Sequence, residues 1–433
     1  MTNKAVRRVH IPAVLRDEPQ YRLLFGSQVL SVLGDRVTAV ALPFAVLSLG
    51  GGVAQVALVS AAQFVPFVVL SLPAGVWADR LDRKRILIAS DSIRLVTQTV
   101  AAVLLLSGAA TVPALIVLAA AFGAADAFFS PAFSGLLPTT VEPANIQPAN
   151  ALRGLSFSLA NVVGPVLAGV LIAQAGGPGA ALVLDAATFA VSLILLAPLR
   201  PRLVAEVLGA AEPAVGGESF VASLRAGWAE VRSRSWVLGF LGGFTAYHAV
   251  VLPCIFVIGP VLMLSDYQGA RSWALVTALF GVGNILGDLL LLVWKPTHAL
   301  RVAAFMLAGA SCQAAIIGSG LPVLSIGLLE LLTGVCVTGT FTLWETTLGE
   351  HIPGRSLSRV ASYDYLSSTG VIPLGNVLTG VAAATIGLHE SLWGMSIVGV
   401  GAALLVVSMS SVRNLPRGRS TVDRSDSSAG QDR

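Results

Sequence analysis

The sequence predicts an all-α membrane protein whose twelve transmembrane helices form two pseudo-symmetric six-helix bundles. Three observations lead to this prediction: an apolar composition, twelve apolar stretches of bilayer length, and a repeat between the two halves. Of the 433 residues, 55% are hydrophobic and only 12% are charged. A soluble domain carries about 25% charged residues, so most of the surface of this chain is expected to face lipid.

Twelve apolar stretches have the length of a transmembrane helix, which needs about 20 residues to cross the bilayer core. The first six are expected at 22–49, 53–78, 86–108, 112–137, 148–174 and 179–198. The second six are expected at 236–264, 272–294, 300–319, 322–348, 358–387 and 390–412. The chain therefore divides into an N-terminal bundle over 22–198 and a C-terminal bundle over 236–412.

The two bundles repeat each other at a nearly constant offset. Four features of the first half recur 210 to 212 residues later. The matched pairs are Leu42-Pro43 with Leu252-Pro253, Gly75 with Gly287, Pro143 with Pro353, and Gly169 with Gly380. Two parallel halves related by an axis along the membrane normal produce such a pattern.

Three polar segments flank or join the bundles. Residues 1–21 are expected to form a cytoplasmic segment without a cleavable signal, so that the first span stays in the protein. Residues 199–235 form a cytoplasmic linker, in which the pattern over 219–232 predicts an amphipathic helix at the membrane surface. Residues 413–433, rich in Ser, Asp and Arg, are expected to be a disordered cytoplasmic tail.

The distribution of positive charge indicates the orientation. If both termini are inside, the six outer loops together hold one basic residue, Arg271, of the 27 in the chain. Because cytoplasmic loops carry an excess of Lys and Arg, we expect a multi-pass protein of the bacterial plasma (inner) membrane with both termini cytoplasmic. The basic residues are scattered over short loops, which does not favour a nucleic-acid partner.

Charged residues inside the spans are the first candidates for function, because burying a charge at the bilayer centre is costly. Asp35 and Arg36 lie midway along the first span, and Ser27, Ser31 and Thr38 share a helical face with Asp35. This face is expected to line a water-filled cavity. Two interpretations stay open: a structural pairing with neighbouring helices, or a role in substrate binding or proton coupling.

The tenth span carries a polar stripe over nearly its whole length. Glu330 and Glu345 mark its two ends, with Gly334, Thr338 and Thr342 between them. A carboxylate in a cavity of low dielectric constant is suited to gain and release protons. Glu330 is therefore a candidate proton or cation site, whereas Glu345 is a candidate partner in an ion pair at the inner gate.

Three further polar residues lie within spans. Asp126, midway along the fourth span, is another candidate carboxylate. His248 in the seventh span is either a hydrogen-bonded structural residue or a proton relay, and Asn284 in the eighth span is a candidate for the cavity lining. The substrate site is expected near the bilayer midplane, between the first, fourth, seventh and tenth helices.

The chain offers no motif for enzyme chemistry or for a cofactor. It has no Gly-x-x-x-x-Gly-Lys-Ser/Thr loop for ATP. Cys254, Cys312 and Cys336 lie in apolar segments without the spacing of a metal site or a disulfide framework. We therefore expect neither an enzyme nor a metal or cofactor site, and transport then has to draw on an ion gradient, for which the intramembrane carboxylates favour protons.

The charged loop after the second span resembles a motif of a known family. Its residues Gly75-x-x-x-Asp79-Arg80-x-x-Arg83-Lys84-Arg85 are similar to motif A of the major facilitator superfamily of transporters. The resemblance, over roughly residues 20–412, implies the twelve-helix fold of that family. It also implies that Asp79 and Arg83 latch the cytoplasmic side shut near Ser358 and Arg359. The alternative is that these charges only set the topology.

The fifth span is similar to motif C, which marks exporters in this superfamily. The matching residues are Gly164, Pro165 and Gly169, with Ala168 where many members have glycine. Further matches, which resemble the branch of macrolide-efflux and enterobactin-export proteins, are Leu33-Gly34-Asp35, Phe129-Ser-Pro131-Ala-Phe and Asn150-Ala-Leu-Arg153-Gly. One departure is the lack of a basic residue over 115–123, where many drug/proton antiporters have an arginine.

These observations predict a monomeric secondary transporter that exports a small hydrophobic or amphipathic compound, drug- or antibiotic-like, in exchange for protons by alternating access. Its partners are the small-molecule substrate, protons and the lipid bilayer. Two alternatives stay open: a siderophore or metabolite exporter or importer of the same fold, and a non-transporting membrane receptor. The polar stripes in the first and tenth spans argue against the receptor, which needs no such lining.

Overall fold

Twelve long apolar helices make up most of the part of the chain that the structure describes. The computed structural model describes residues 13–202 and 220–416, and the described residues contain no β-strand. The spans, numbered in chain order, are α1 Pro19–Ser48, α2 Val53–Arg80, α3 Arg83–Leu106, α4 Val112–Thr139, α5 Pro143–Gln174, α6 Pro178–Leu196, α7 Ser235–Asp266, α8 Ala270–Val293, α9 Ala299–Ile317, α10 Val323–His351, α11 Arg359–Ile386 and α12 Leu388–Ser408. The predicted fold class is confirmed.

The predictions for the polar segments fall largely outside the described residues, which exclude 1–12, 203–219 and 417–433. Part of the linker is described as the helix Phe220–Arg232. Its Gly227 lies against Tyr363 and Arg359 of α11, and the ring of Trp228 lies 5.7 Å from that of Tyr363. The linker helix therefore packs on the C-terminal bundle.

Capping residues and glycines set the ends of the helices. Asp82 precedes α3, and its carboxylate accepts hydrogen bonds from the backbone N–H groups of Lys84 and Arg85, at 2.9 and 3.2 Å. This satisfies donors that a helix start leaves open. At other turns Gly177 and Gly387 have φ values of 81° and 104°, which favour glycine.

Consecutive helices are antiparallel, because short connections join them. We call the side where α1 begins and α12 ends the terminus side, and the other the far side.

The two bundles meet mainly through α5 with α8 and through α2 with α11. Small residues permit the close approach: Gly281 of α8 lies against the backbone of Asn161, and Gly380 of α11 lies against Ala57. The α2–α11 contact involves the segment Ile372–Ile386, which is the far-side half of α11. Among the described residues, the bundles are therefore joined chiefly on the far side.

Helix α7 is irregular in its middle. Two π-helical segments, Tyr247–Val251 and Cys254–Ile258, lie on either side of Pro253. Proline lacks an N–H donor and clashes with the preceding turn, so the regular hydrogen-bond ladder cannot pass through this position. Such π-bulges frequently occur at functional sites, and this one faces the space between the bundles.

Candidate functional site

A cavity of about 680 Å³ lies between the two bundles. Helices α1 and α5 form its wall on the N-terminal bundle, and α7, α8, α9 and α10 form its wall on the C-terminal bundle. Helix α4, which the sequence predicts at the substrate site, does not line this cavity. The close packing of α5 on α8 brings Asn161 and Pro165 to the wall, where they take the place expected for α4.

Aromatic side chains make up much of the cavity wall. Trp273, Phe280, Phe256 and Phe341 line it, and Phe341 is held in place by stacking on Phe244, with ring centroids 5.0 Å apart. Pockets for small molecules have this character, with a few polar groups that determine orientation. The cavity is therefore suited to the apolar part of an amphipathic molecule, and its specificity depends on the polar residues.

Glu330 is the buried carboxylate of the cavity, with a relative exposure of 1%. Its Oε2 accepts hydrogen bonds from the Gln313 amide and the Thr333 hydroxyl, both at 2.8 Å. The Tyr247 hydroxyl donates to Gln313 Oε1 at 3.2 Å, which orients the amide towards Glu330. Glu330 Oε1 is buried without a hydrogen-bond partner. This oxygen can therefore accept a hydrogen bond from a ligand.

Arg36 lies on the wall formed by the N-terminal bundle. Its Nε is buried and has no hydrogen-bond partner. Gly164 of α5 lies against Arg36, because a Cβ at position 164 would stand 3.1 Å from the carbonyl carbon of Arg36. The cavity therefore has a guanidinium on its α1 wall and a carboxyl group on its α10 wall.

The residues matched to the export motif lie where α5 meets its neighbours. Gly164 allows α1 to approach, Pro165 lines the cavity, and Gly169 lies against Ala274 of α8. Helix contacts inside a membrane depend on such small residues, because they let two backbones come close. These residues thus shape the interface between the bundles and one edge of the cavity.

His248, Asn284 and Glu345 also line the cavity. His248 Nδ1 lies 2.8 Å from the carbonyl oxygen of Phe244, so this nitrogen is the donor and the imidazole is held in one orientation. Asn284 has a buried Oδ1 without a hydrogen-bond partner. Glu345 is exposed, near the terminus-side end of α10. The cavity thus collects five of the seven residues predicted for it.

The remaining two, Asp35 and Asp126, belong to a separate group inside the N-terminal bundle. Arg94 Nη1 lies 3.4 Å from Oδ1 of Asp35 and 3.4 Å from Oδ1 of Asp126. Its Nη2 pairs with Asp91 of the same helix. The Arg94 side chain is 0% exposed, and a buried guanidinium needs such partners. Arg94 therefore forms ion pairs with three carboxylates, one each from α1, α3 and α4.

Rings and hydroxyls fix the centre of this group. The Arg94 guanidinium lies over the rings of Phe129 and Phe189, at 4.5 and 4.6 Å from their centroids. Both contacts are attractive because the face of an aromatic ring is electron-rich. Asp91 accepts a further hydrogen bond from the Ser192 hydroxyl at 2.5 Å. Arg94 and Asp91 are consequently a rigid pair.

The carboxylates of this group differ in their access to water. The side chains of Asp35 and Asp126 are 27% and 32% exposed, and they contact Arg94 only at 3.4 Å. Asp91 and the nearby Asp185 are fully buried, and both are hydrogen-bonded by hydroxyl groups. Asp35 and Asp126 are therefore the carboxylates in this group that are best placed to exchange protons with water.

The charged loop after α2 is described only in part. Only the backbone is described at three positions of the predicted gating loop, Gly75, Asp79 and Arg80, and at Ser358, near which the latch is predicted to close. The latch accordingly stays a prediction.

The described basic residues of this loop make contacts within the N-terminal bundle. Arg83 Nη1 donates to the carbonyl oxygen of Gly135 at 2.6 Å. Lys84 Nζ donates to the carbonyl oxygens of Ala197 and Leu199 at 2.7 and 2.8 Å. These bonds tie the start of α3 to the end of α4 and to the chain that leaves α6.

Sequence reasoning gave Arg94 no functional role and did not name Asp91 or Gln313. A signal for the first two exists, since Asp91 and Arg94 stand three residues apart in an apolar helix of 24 residues. That is the spacing of an ion pair on one helix face. Gln313 carries no such signal, because its relation to Glu330 depends on how α9 packs against α10.

Comparison with known proteins adds a family and relatives. Residues 24–368 match the sequence model of the Major Facilitator Superfamily. The Multidrug efflux pump Tap of Mycobacterium bovis is 26% identical over 419 residues, which cover 92% of this chain and 94% of that protein. The Enterobactin exporter EntS of Citrobacter koseri is 24% identical over 437 residues, which cover 93% of this chain and 96% of that protein.

Solved structures share the fold. The nucleoside transporter NupG is similar with a TM-score of 0.68 and 14% identity, over 90% of this chain and 99% of that chain. A bacterial homologue of the iron transporter ferroportin is similar with a TM-score of 0.67 and 15% identity, over 90% of this chain and 97% of that chain. At these identities the likeness supports the architecture alone.

Proposed function

The chain belongs to the major facilitator superfamily, and on this premise we propose that it exports a small hydrophobic or amphipathic compound in exchange for protons. It is a multi-pass transporter of the bacterial inner membrane. In our proposal it works as a monomer by alternating access, and its terminus side, with both termini, faces the cytoplasm.

The observation that carries proton coupling is the imbalance of charge around Arg94. Asp35, Asp91 and Asp126 share it, and Arg94 is the one cation within ion-pair distance of them among the described residues. Neighbouring carboxylates in a medium of low dielectric constant repel each other, and a bound proton relieves that repulsion. Asp35 and Asp126 are the partly exposed members, so we assign the exchange of protons to them.

The cavity between the bundles is the proposed substrate site. Its volume of about 680 Å³ lies within the range of small-molecule pockets, about 300–1,000 Å³. Asp35 belongs to the cluster of carboxylates around Arg94, and the next residue, Arg36, lines the cavity. Because the two residues are consecutive on α1, a movement of this helix changes both sites together. This adjacency supports a coupling of proton exchange to substrate binding.

Two features support export by alternating access. Within the described part of the chain, the bundles are joined chiefly on the far side, so a rocking motion that separates α2 from α11 there would open the cavity to that side. The export-motif residues Gly164 and Gly169 lie in the contacts of α5. Two relatives, an efflux pump at 26% identity and an exporter at 24%, are named for transport in the same direction.

The test is a substrate-driven proton flux in proteoliposomes that contain a pH-sensitive dye. The probes are ethidium (a cation), Nα-dansyl-lysine (a zwitterion) and anilinonaphthalene sulfonate (an anion). In wild-type vesicles, a gradient of a transported probe is expected to drive protons in the opposite direction. The Asp35→Asn/Asp126→Asn double variant is expected to lose this flux, because an amide cannot take up the proton.

Glu390→Gln is the matched control, since it is also a carboxylate-to-amide change but stands at an exposed position at the start of α12. It is expected to keep the wild-type flux. A flux that persists in the double variant would remove Asp35 and Asp126 as the proton site. The absence of flux with all three probes in the wild type would contradict proton-coupled export of such compounds.

A further inference from the structure

The cavity is lined by a guanidinium and a carboxyl group that each have one buried atom without a hydrogen-bond partner. Glu330 Oε1 and Arg36 Nε are both buried without a hydrogen-bond partner. Both side chains line the same cavity, Arg36 from α1 of one bundle and Glu330 from α10 of the other. Among the described residues, no ion pair of either side chain is found, although Arg36 is close enough to Asp35 and Asp126 to interact with them electrostatically. A buried polar atom without a hydrogen-bond partner is unfavourable, so each of these two atoms is available to a ligand atom.

The other polar residues of the cavity are less suited to bind a charged ligand group. Glu345 is exposed, near the terminus-side end of α10, and so needs a ligand partner less than the buried Glu330 does. His248 uses Nδ1 on the carbonyl oxygen of Phe244, and the hydroxyl of Thr277 donates to the carbonyl oxygen of Trp273 at 2.8 Å. A ligand cation is consequently best placed at Glu330, and a ligand anion at Arg36, the one guanidinium among the described residues of the lining.

We propose that the cavity selects zwitterionic amphiphiles, which place an amine at Glu330, an acidic group at Arg36 and an apolar body against the aromatic wall. This inference rests on the proposed function, since it takes the cavity as the substrate site, and it names the substrate class. A singly charged compound leaves either Glu330 Oε1 or Arg36 Nε without a partner. Sites that contain buried polar groups reject analogues lacking the complementary group most strongly.

The two charged residues lie on different bundles, so a ligand that binds both also connects the bundles. Arg36 moves with the N-terminal bundle and Glu330 with the C-terminal bundle. A ligand that contacts both residues bridges the bundles, whereas a singly charged ligand is anchored to one of them. Selection for a zwitterion is therefore selection for a compound that binds across the interface.

The experiment is equilibrium binding to the purified full-length protein in detergent, read from the dansyl fluorescence of three related probes. Nα-dansyl-lysine carries an amine and a carboxylate separated by the lysine side chain. Its methyl ester is a cation, and its Nε-acetyl derivative is an anion. The zwitterion is expected to bind at least ~10-fold more tightly than either derivative, because each derivative loses one charge-assisted contact.

The two charges are tested separately by substitution. Arg36→Gln is expected to weaken the zwitterion and the anion by ~10-fold and to leave the cation unchanged. Glu330→Gln is expected to weaken the zwitterion and the cation by the same ~10-fold and to leave the anion unchanged. Glu390→Gln and Arg413→Gln, at exposed positions, are the matched controls and are expected to bind all three probes as the wild type does.

The proposal is overturned if the wild type binds the ester or the acetyl derivative as tightly as the zwitterion. It is equally overturned if Arg36→Gln or Glu330→Gln keeps the wild-type affinity for the zwitterion. Should a variant not fold, the ranking of the three probes on the wild type alone decides. Binding requires no gradient, so a protein that ranks the probes as expected but shows no proton flux supports this inference and contradicts the transport mechanism.

Discussion

Replacing Arg94 with methionine removes the one cation within ion-pair distance of Asp35, Asp91 and Asp126 among the described residues. Methionine keeps an unbranched apolar side chain at the position, so the change acts mainly on charge. Asp91 is then left buried, and among the described residues its remaining contacts are the hydroxyls of Ser31 and Ser192. We expect a large loss of stability.

The size of the loss follows from the contacts. Removing one partner of a buried ion pair costs about 3–5 kcal/mol, because the other charge stays buried without compensation. The two ring contacts, at 4.5 and 4.6 Å, are also lost, and together they contribute about 1–2 kcal/mol. Arg94→Met is therefore expected to lower the free energy of unfolding by about 4–7 kcal/mol.

A double-mutant cycle with Asp91→Asn isolates the pair. The ring contacts and the contacts with Asp35 and Asp126 are lost in Arg94→Met and in the double variant alike, so they cancel. The remaining coupling between Arg94 and Asp91 is expected to be about 1–3 kcal/mol. Unfolding of the purified protein in mixed micelles, followed by the fluorescence of its seven tryptophans, provides the four free energies.

The exposed pair Arg16–Asp17 is the matched control. Its atoms lie 2.8 Å apart, but its side chains are 70% and 52% exposed, so water screens the attraction and no measurable coupling is expected. If the effects of Arg94→Met and Asp91→Asn simply add, the two residues are not a rigid pair. The account of the cluster of carboxylates around Arg94 would then be refuted.

Two further predictions concern packing and the charged loop. Gly281→Ala is expected to lower the free energy of unfolding by about 1–3 kcal/mol in the same micelle unfolding assay. The reason is that its Cβ would stand 2.7 Å from the backbone oxygen of Asn161 and push α8 away from α5. In the control Gly401→Ala the new Cβ meets nothing within 4 Å, so this variant is expected to be neutral or slightly stabilising. Lys84→Met is expected to cost about 1 kcal/mol, since it loses two hydrogen bonds to carbonyl oxygens after α6. An unchanged unfolding free energy in either variant would contradict the assigned contact.

The twelve helices were predictable from the sequence because the bilayer imposes a length and a composition on every span. The predicted range 53–78 and the helix Val53–Arg80 begin at the same residue. At Gly387, a positive φ of 104° ends α11 where the glycine predicts a turn. The π-helical segments around Pro253 were not predictable, since proline signals a break but not the geometry that the surrounding helices impose.

The site was predictable as a set of residues but not as an arrangement. Charges inside spans pointed to Asp35, Asp126 and Glu330, because such residues are rare in lipid. Asp35 and Asp126 lie in the cluster around Arg94, whereas Glu330 lies in the cavity. This separation depends on how each helix is rotated about its axis, which the composition of the spans does not show. Asp35 and Arg36 are neighbours in the chain, yet one contacts Arg94 and the other lines the cavity.

The central claim is a division of roles, with protons exchanged at Asp35 and Asp126 and substrate bound in the cavity at Glu330. The most direct measurement compares uphill accumulation with downhill equilibration of a transported probe in proteoliposomes under an imposed pH gradient. With Nα-dansyl-lysine below its wild-type Kd as the probe, the wild type is expected to accumulate it and Asp35→Asn/Asp126→Asn to equilibrate it without accumulation. Glu330→Gln is expected to take up the probe ~10-fold more slowly than the wild type, because it binds the probe ~10-fold more weakly. Accumulation by the double variant, or uptake by Glu330→Gln at the wild-type rate, would contradict the claim.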